Sequence, residues 1–261
     1  LEASFGINGV AAADVGGIYL ALIVGFVAWR RATPQLRGAE PQFSLQQLLR
    51  TAMPLLMVKS LRLAAGWLAT LAIAAILADA DVGVFNAAFR TSLLLGVFLI
   101  SVNSIAAPKF AGLYERGDMA GLAATARWST LLLGALTAPV FVLFLAFPEW
   151  VMSLFGPDFV ESGRGVLIIL TAGQIINVMT GPVNYLLMMT GFEKDVRNAT
   201  TVSFLTCLVT IWPFINAWGL TGAAVSVAAS MAIMNLVAAV YVRVRLGFFT
   251  FPFLPSGQVS R

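Results

Sequence analysis

From Ala52 to Ala107 only Lys59, Arg62, Asp79, Asp81 and Arg90 interrupt a run of uncharged, mostly apolar side chains. The hydrocarbon of a bilayer is about 30 Å thick, and a helix crosses it with roughly 20 apolar residues. Seven stretches meet that length: 9–29, 52–78, 82–107, 128–148, 164–190, 198–217 and 219–242. Composition agrees, with 59% hydrophobic residues, 11% charged and a mean hydropathy of +0.90. A soluble domain has about a quarter of its residues charged. The fold class expected is therefore all-α, a polytopic membrane protein of about seven transmembrane helices. The chain has no histidine, and Cys207 is its single cysteine. No intramolecular disulfide can form, and no imidazole metal site or histidine proton relay is possible. No cofactor is called for, and the basic balance is not a nucleic-acid signal.

The cations fix an orientation. Arg30, Arg31, Arg37 and Arg50 lie between the first two stretches. Lys109, Arg116 and Arg127 lie between the third and fourth, and Lys194 and Arg197 between the fifth and sixth. Arg243, Arg245 and Arg261 follow the last. All of these fall on one side. The other side holds Asp79, Asp81, Glu149, Asp158 and Glu161, with Arg164 its only cation. Loops rich in Lys and Arg stay in the cytoplasm, so the C-terminus is expected inside and Leu1 outside. Residues 43–50, "FSLQQLLR", read as a short interfacial helix leading into the second span.

The segments "GINGVAAADVGGIYLALIVGFVAWRR" (6–31) and "GLTGAAVSVAASMAIMNLVAAVYVRVR" (219–245) both open Gly-x-x-Gly, run through small residues and end in arginines. Their offset, from Gly6 to Gly219, is 213 residues. Six helices used twice is a common transporter plan. The plainer reading is that membrane helices share small residues and basic ends. On the repeat reading, residues 1–31 are the last helix of an otherwise missing N-terminal bundle. Residues 32–51 are then a cytoplasmic linker, 52–245 a six-helix C-terminal bundle and 246–261 a cytoplasmic tail.

Further motifs carry a resemblance. They are Phe85-x-x-Ala88-x-Arg90, Ala107-Pro108-Lys109-Phe110 and Leu113-Tyr114 ahead of Gly117-Asp118, with "LFGPDFVESGRGVLIIL" (154–170) and "GLTGAAVSVAAS" (219–230). In order and spacing the chain resembles the C-terminal half of the bacterial polysaccharide and O-antigen flippases of the multidrug/oligosaccharidyl-lipid/polysaccharide exporter superfamily. The resemblance implies a multi-pass protein of the bacterial inner membrane that exports a polyprenyl-pyrophosphate-linked oligosaccharide by alternating access. Its partners would be that lipid, membrane lipids and the missing bundle. Members have twelve or more helices, so a fragment of the full transporter is expected.

Three cations fall inside spans. A charge at the bilayer centre costs about 2.5–3.5 kcal/mol on insertion scales, and a diphosphate would offset it through charge-assisted hydrogen bonds. Arg90 lies nine residues beyond Asp81, about 13 Å down a helix. It is expected to face an internal cavity, with Asn86 one turn earlier to hold the guanidinium. The alternative is a structural pair with Asp14, the one acid within these spans. Lys59 and Arg62 share a helix face; they either greet a pyrophosphate from the inner leaflet or snorkel to lipid phosphates. Gln174, Asn177, Gly181 and Asn184 form a polar stripe, with Pro182 bending the helix beside it. Such amides either bind sugar hydroxyls or hold helices together. The substrate-binding candidates are thus Arg90, Lys59, Arg62, Asn86, Gln174, Asn177 and Asn184, and no catalytic residue is expected.

Two other functions compete with this one. A cation-coupled multidrug exporter of the same superfamily would favour an acidic cavity. A membrane enzyme would need catalytic carboxylates or a metal site, usually on a sizeable outer loop, and the sequence offers none.

Overall fold

The computed structural model describes residues 2–32 and 45–251. Among them every regular element is helical: α1 (Glu2–Ala32), α2 (Leu45–Ile76), α3 (Asp79–Leu93), α4 (Leu95–Glu115), α5 (Met119–Ala146), α6 (Pro148–Ser153), α7 (Val160–Thr180), α8 (Val183–Met189) and α9 (Glu193–Leu246), with a 3₁₀ turn at Pro157–Phe159. The all-α polytopic class holds. The chain divides into two compact units, Leu1–Leu48 and Leu49–Arg261.

Six helical stretches among the described residues are long and apolar enough to cross a membrane. The last is 54 residues, about 81 Å at 1.5 Å per residue. That is more than twice the hydrocarbon thickness, so it cannot run straight. It reverses at Gly219, whose φ of 59° and ψ of −135° are not helical. Gly222 lets the two arms close: a Cβ there would sit 1.9 Å from the Phe214 carbonyl oxygen. The arms are then stitched by Thr210 Oγ1 to Ser226 Oγ at 2.6 Å and by Ser203 donating to the Ser230 carbonyl at 2.7 Å. Where they end, Arg245 grips the buried Asp195 with Nε–Oδ2 at 2.7 Å and Nη2–Oδ1 at 3.3 Å. Counting the arms separately gives seven crossing segments among the described residues.

Several expected boundaries move. The stretch 82–107 extends to Asp79 and Glu115, with a brief interruption at Leu94. The stretch 164–190 is two helices, because α7 stops at Gly181 and Pro182. Residues 45–50 are the first turns of α2, with no break before the span; Phe43 and Ser44 lie outside the described residues. Turn chemistry sets the remaining ends. Gly117 (φ 71°) lets the backbone N–H groups of Gly117 and Asp118 pair with Tyr114 and Leu113 carbonyls at the end of α4. Asp118 then caps α5 by accepting from the Gly121 N–H at 2.8 Å, the usual role of Asp at an N-terminus.

Within the second unit the core separates by depth. One apolar cluster joins Ile73, Phe85, Leu95, Met152, Leu167, Leu170, Ile211 and Ala223. A second joins Phe110, Leu122, Leu186, Leu187, Val196, Ala238 and Val242, and a small third joins Val102, Leu133 and Val178. Each of the two larger clusters collects residues from one half of the helices' length. Small residues allow the tightest packing: a Cβ on Gly173 of α7 would lie 3.0 Å from Ala228 Cα of α9. This is the close backbone approach that membrane helices use where water supplies no hydrophobic drive between them. Trp67, Leu71, Ile105, Trp128 and Val209 project from the exterior, as lipid-facing side chains do.

The expected tail 246–261 begins differently. Gly247 (φ 82°) ends α9, and the chain turns back against the bundle. Phe248 joins the second cluster, and Thr250 is fully buried. The Thr250 hydroxyl donates to the Thr180 carbonyl at 2.6 Å. That carbonyl lies in the last turn of α7, where orphan carbonyls have no helical partner. The rest of the tail, 252–261, lies outside the described residues.

Candidate functional site

Between the two larger apolar clusters, midway along the helices, lies a cavity of about 310 Å³. The break in α7 helps to build it. Gly181 (φ 74°, ψ −159°) and Pro182 interrupt the helix and themselves form part of the wall. No other residue fits at 181, since a Cβ would lie 2.0 Å from Thr130 Oγ1. Gln174 and Asn177 come from α7 and Asn184 from α8, and all three line the cavity. The stripe seen in sequence is therefore one wall, although it belongs to two helices.

The wall is hydrogen-bonded within itself. Asn177 Nδ2 donates to Gln174 Oε1 at 3.1 Å. Asn184 Nδ2 donates to Asn235 Oδ1 at 3.2 Å, and Asn235 in turn donates to the Met231 carbonyl at 2.9 Å. Ser203, Cys207, Ser230, Met231 and Met234 supply the α9 side, while Phe85 and Phe89 supply the α3 side. Arg62 of α2, like Lys59 and Arg90 an exposed residue, differs from them in lining the cavity, as Tyr185 does, and its Nη2 lies 3.7 Å from Met234 Sδ. No Asp or Glu stands among the lining residues.

Arg90, expected to face an internal cavity, does not line this one. Phe89 and Leu93, four residues apart, present the inward face of α3, and one position on is about 100° round the helix. The Arg90 side chain is accordingly exposed. Asn86 donates to the Val82 carbonyl at 2.9 Å. Lys59 is exposed and also off the lining. The alternative partner of Arg90, Asp14, lies outside the residues whose side chains are described. The structure thus brings together Arg62, Gln174, Asn177 and Asn184, and leaves Lys59, Asn86 and Arg90 apart from them.

Several lining residues were missed in the sequence, among them Tyr185, Ser203, Ser230 and Asn103. Asn103 of α4 is fully buried, and neither its Nδ2 nor its Oδ1 has a partner among the described residues. The signal was there, an amide in the middle of the apolar run from Leu94 to Ala107. A lone Asn, however, has no periodicity to mark it.

These features define a polytopic α-helical membrane protein whose second unit holds a mostly apolar, acid-free cavity at mid-depth, with one wall of amides. The chain is similar to the solved outward-facing conformation of a multidrug resistance MATE family transporter of the MOP superfamily, with a TM-score of 0.61 at 19% sequence identity. The match covers 82% of this chain and 48% of the other, so the chain spans about half the length of that structure and shares its fold over the matched part. No family model matches the sequence, and no curated protein matches it.

Proposed function

We propose that this chain transports a polyprenyl-diphosphate-linked oligosaccharide from the inner to the outer leaflet of a bacterial inner membrane, by alternating access together with a partner bundle. The observation that carries this reading is Arg62. Its guanidinium stands at a membrane-embedded cavity, where, among the described residues, it is hydrogen-bonded to a methionine sulfur and no carboxylate lines the wall. A guanidinium held there is stabilised by an anion that arrives with the cargo, and a diphosphate matches its fork geometry. The amides of Gln174, Asn177 and Asn184 stand beside it to take uncharged polar groups. A volume of about 310 Å³ is at the low end for ligand sites, roughly 300–1,000 Å³. It suits one headgroup at a time, with the prenyl chain left in lipid. Lys59 and Arg90, expected among the substrate contacts, do not line this cavity and carry no part of the proposal.

The test uses the purified full chain, with thermal unfolding followed by reaction of a thiol dye with Cys207, which is buried in the fold. Geranyl diphosphate should raise the melting temperature of wild type, Arg62→Lys should keep part of the shift and Arg62→Ala should lose it. A second reading, export of aromatic cations, is favoured by the wall of Phe85, Phe89, Tyr185, Met231 and Met234, since aromatic faces and thioethers hold flat cations. Stabilisation by ethidium and none by geranyl diphosphate would establish that reading and reject the first.

A further inference from the structure

We infer that Asn103 reads the sugar of the cargo: its amide is a specificity determinant that pairs with neighbouring hydroxyls of the first hexose. The inference rests on the function proposed above and deepens it. Asn103 lies in the wall of the same cavity as Gln174 and Asn177. It is 0% exposed, and both polar atoms of its side chain lack a partner among the described residues. Buried amides in folded proteins are nearly always paired, and an unpaired one calls for a reason. Lipid cannot pair it, and in this conformation the amide is sealed from solvent. Of the other amides in the wall, Asn177 donates to Gln174 and Asn184 donates to Asn235 behind it. Asn184 Oδ1 is the other orphaned amide atom of the wall.

The chemistry of the missing partner follows from the side chain. A carboxamide offers an acceptor oxygen and a donor NH₂ in one plane. A pair of adjacent hydroxyls, each both donor and acceptor, satisfies the two together. A diphosphate satisfies only the donor, and an organic cation only the acceptor. A neutral, hydroxylated group is therefore the ligand class that fits Asn103, while the anion is left to Arg62. As cargo enters, the α4 wall yields and the sugar completes the amide's hydrogen bonds.

This division of labour makes an unusual prediction. Replacing an unpaired buried amide by an apolar side chain of similar shape stabilises a protein, whereas the same change removes the sugar contact. Asn103→Leu should therefore melt above wild type and bind less selectively. The probes are geranyl diphosphate and its hexosyl derivative, with the full chain in a detergent that has no sugar headgroup. Wild type should bind the hexosyl probe about tenfold more tightly, the factor that two modest hydrogen bonds supply. Asn103→Leu should erase that difference and keep the affinity for geranyl diphosphate. Asn103→Thr, which keeps a donor and an acceptor, should keep part of it. A hexosyl preference that survives in Asn103→Leu, or is absent from wild type while geranyl diphosphate binds, overturns this inference alone. A lowered melting point or failure to fold in Asn103→Leu shows that the amide has a protein partner, and also overturns it. If wild type binds neither probe, the proposed function falls and this inference falls with it.

Discussion

Gly181→Ala should loosen the whole second unit, and the size of the effect can be worked out. At φ 74° and ψ −159° the backbone occupies a region essentially reserved for glycine, at a cost of about 1–3 kcal/mol for any other residue. The new methyl would also lie 2.0 Å from Thr130 Oγ1. Turning the Thr130 side chain does not fully relieve this, because its Cβ would still stand 3.1 Å away. It would also sacrifice the hydroxyl's bond to the Ala126 carbonyl. Forced overpacking of this kind costs about 1–3 kcal/mol. A combined loss of about 4 kcal/mol corresponds to a fall of about 8–16 °C in melting temperature for a chain of this size. The assay is the rate at which Cys207, the only cysteine in the chain, becomes reactive on heating. The double variant Gly181→Ala/Thr130→Ala separates the terms: it should recover the steric part and keep the backbone part. A Gly181→Ala protein melting within about 2 °C of wild type would refute the reasoning, since that is under 1 kcal/mol on the same scale. Complete recovery in the double variant would refute the backbone half of it.

Thr250→Val should cost about 1–3 kcal/mol, the penalty for orphaning a buried carbonyl, here that of Thr180; lower Cys207 protection with unchanged helix content is the expected result, and an unchanged melt would show that another group caps α7. Gly222→Ala drives a methyl to within 1.9 Å of the rigid Phe214 carbonyl and should damage folding more than Gly173→Ala, where the approach is 3.0 Å; expression and monodispersity in detergent rank the two. Asp195→Asn should lower the melting point, because Arg245 loses its carboxylate while Asp195 is buried; a melt equal to wild type would show that the pair contributes nothing. For orientation, a cysteine at position 80 should label from outside intact cells and one at 36 only after permeabilisation, both with Cys207 replaced by Ser; the opposite pattern would invert the topology.

The number and class of crossing segments were legible in the sequence because lipid imposes a length and a hydropathy that local composition must meet. Gly117-Asp118 could also be read locally, since a left-handed glycine and an aspartate cap act within one turn. The polar stripe Gln174, Asn177 and Asn184 was visible by spacing alone, and it lines one cavity even though Gly181 and Pro182 divide its helix. Which cation meets that stripe was not legible. Arg62 and Arg90 look alike in a hydropathy profile, and only the rotation of α2 and α3 against their neighbours sets one at the cavity and the other off it. The same holds for Asn103, whose significance is that nothing pairs with it. An absent partner is a property of all the surrounding helices together. Residues 248–251 carry no periodic pattern, so their return to cap α7 through Thr250 could be seen only once the chain was folded. Local physics decides what becomes a membrane helix; which side chains share a cavity depends on helix rotation and packing, which no single segment encodes.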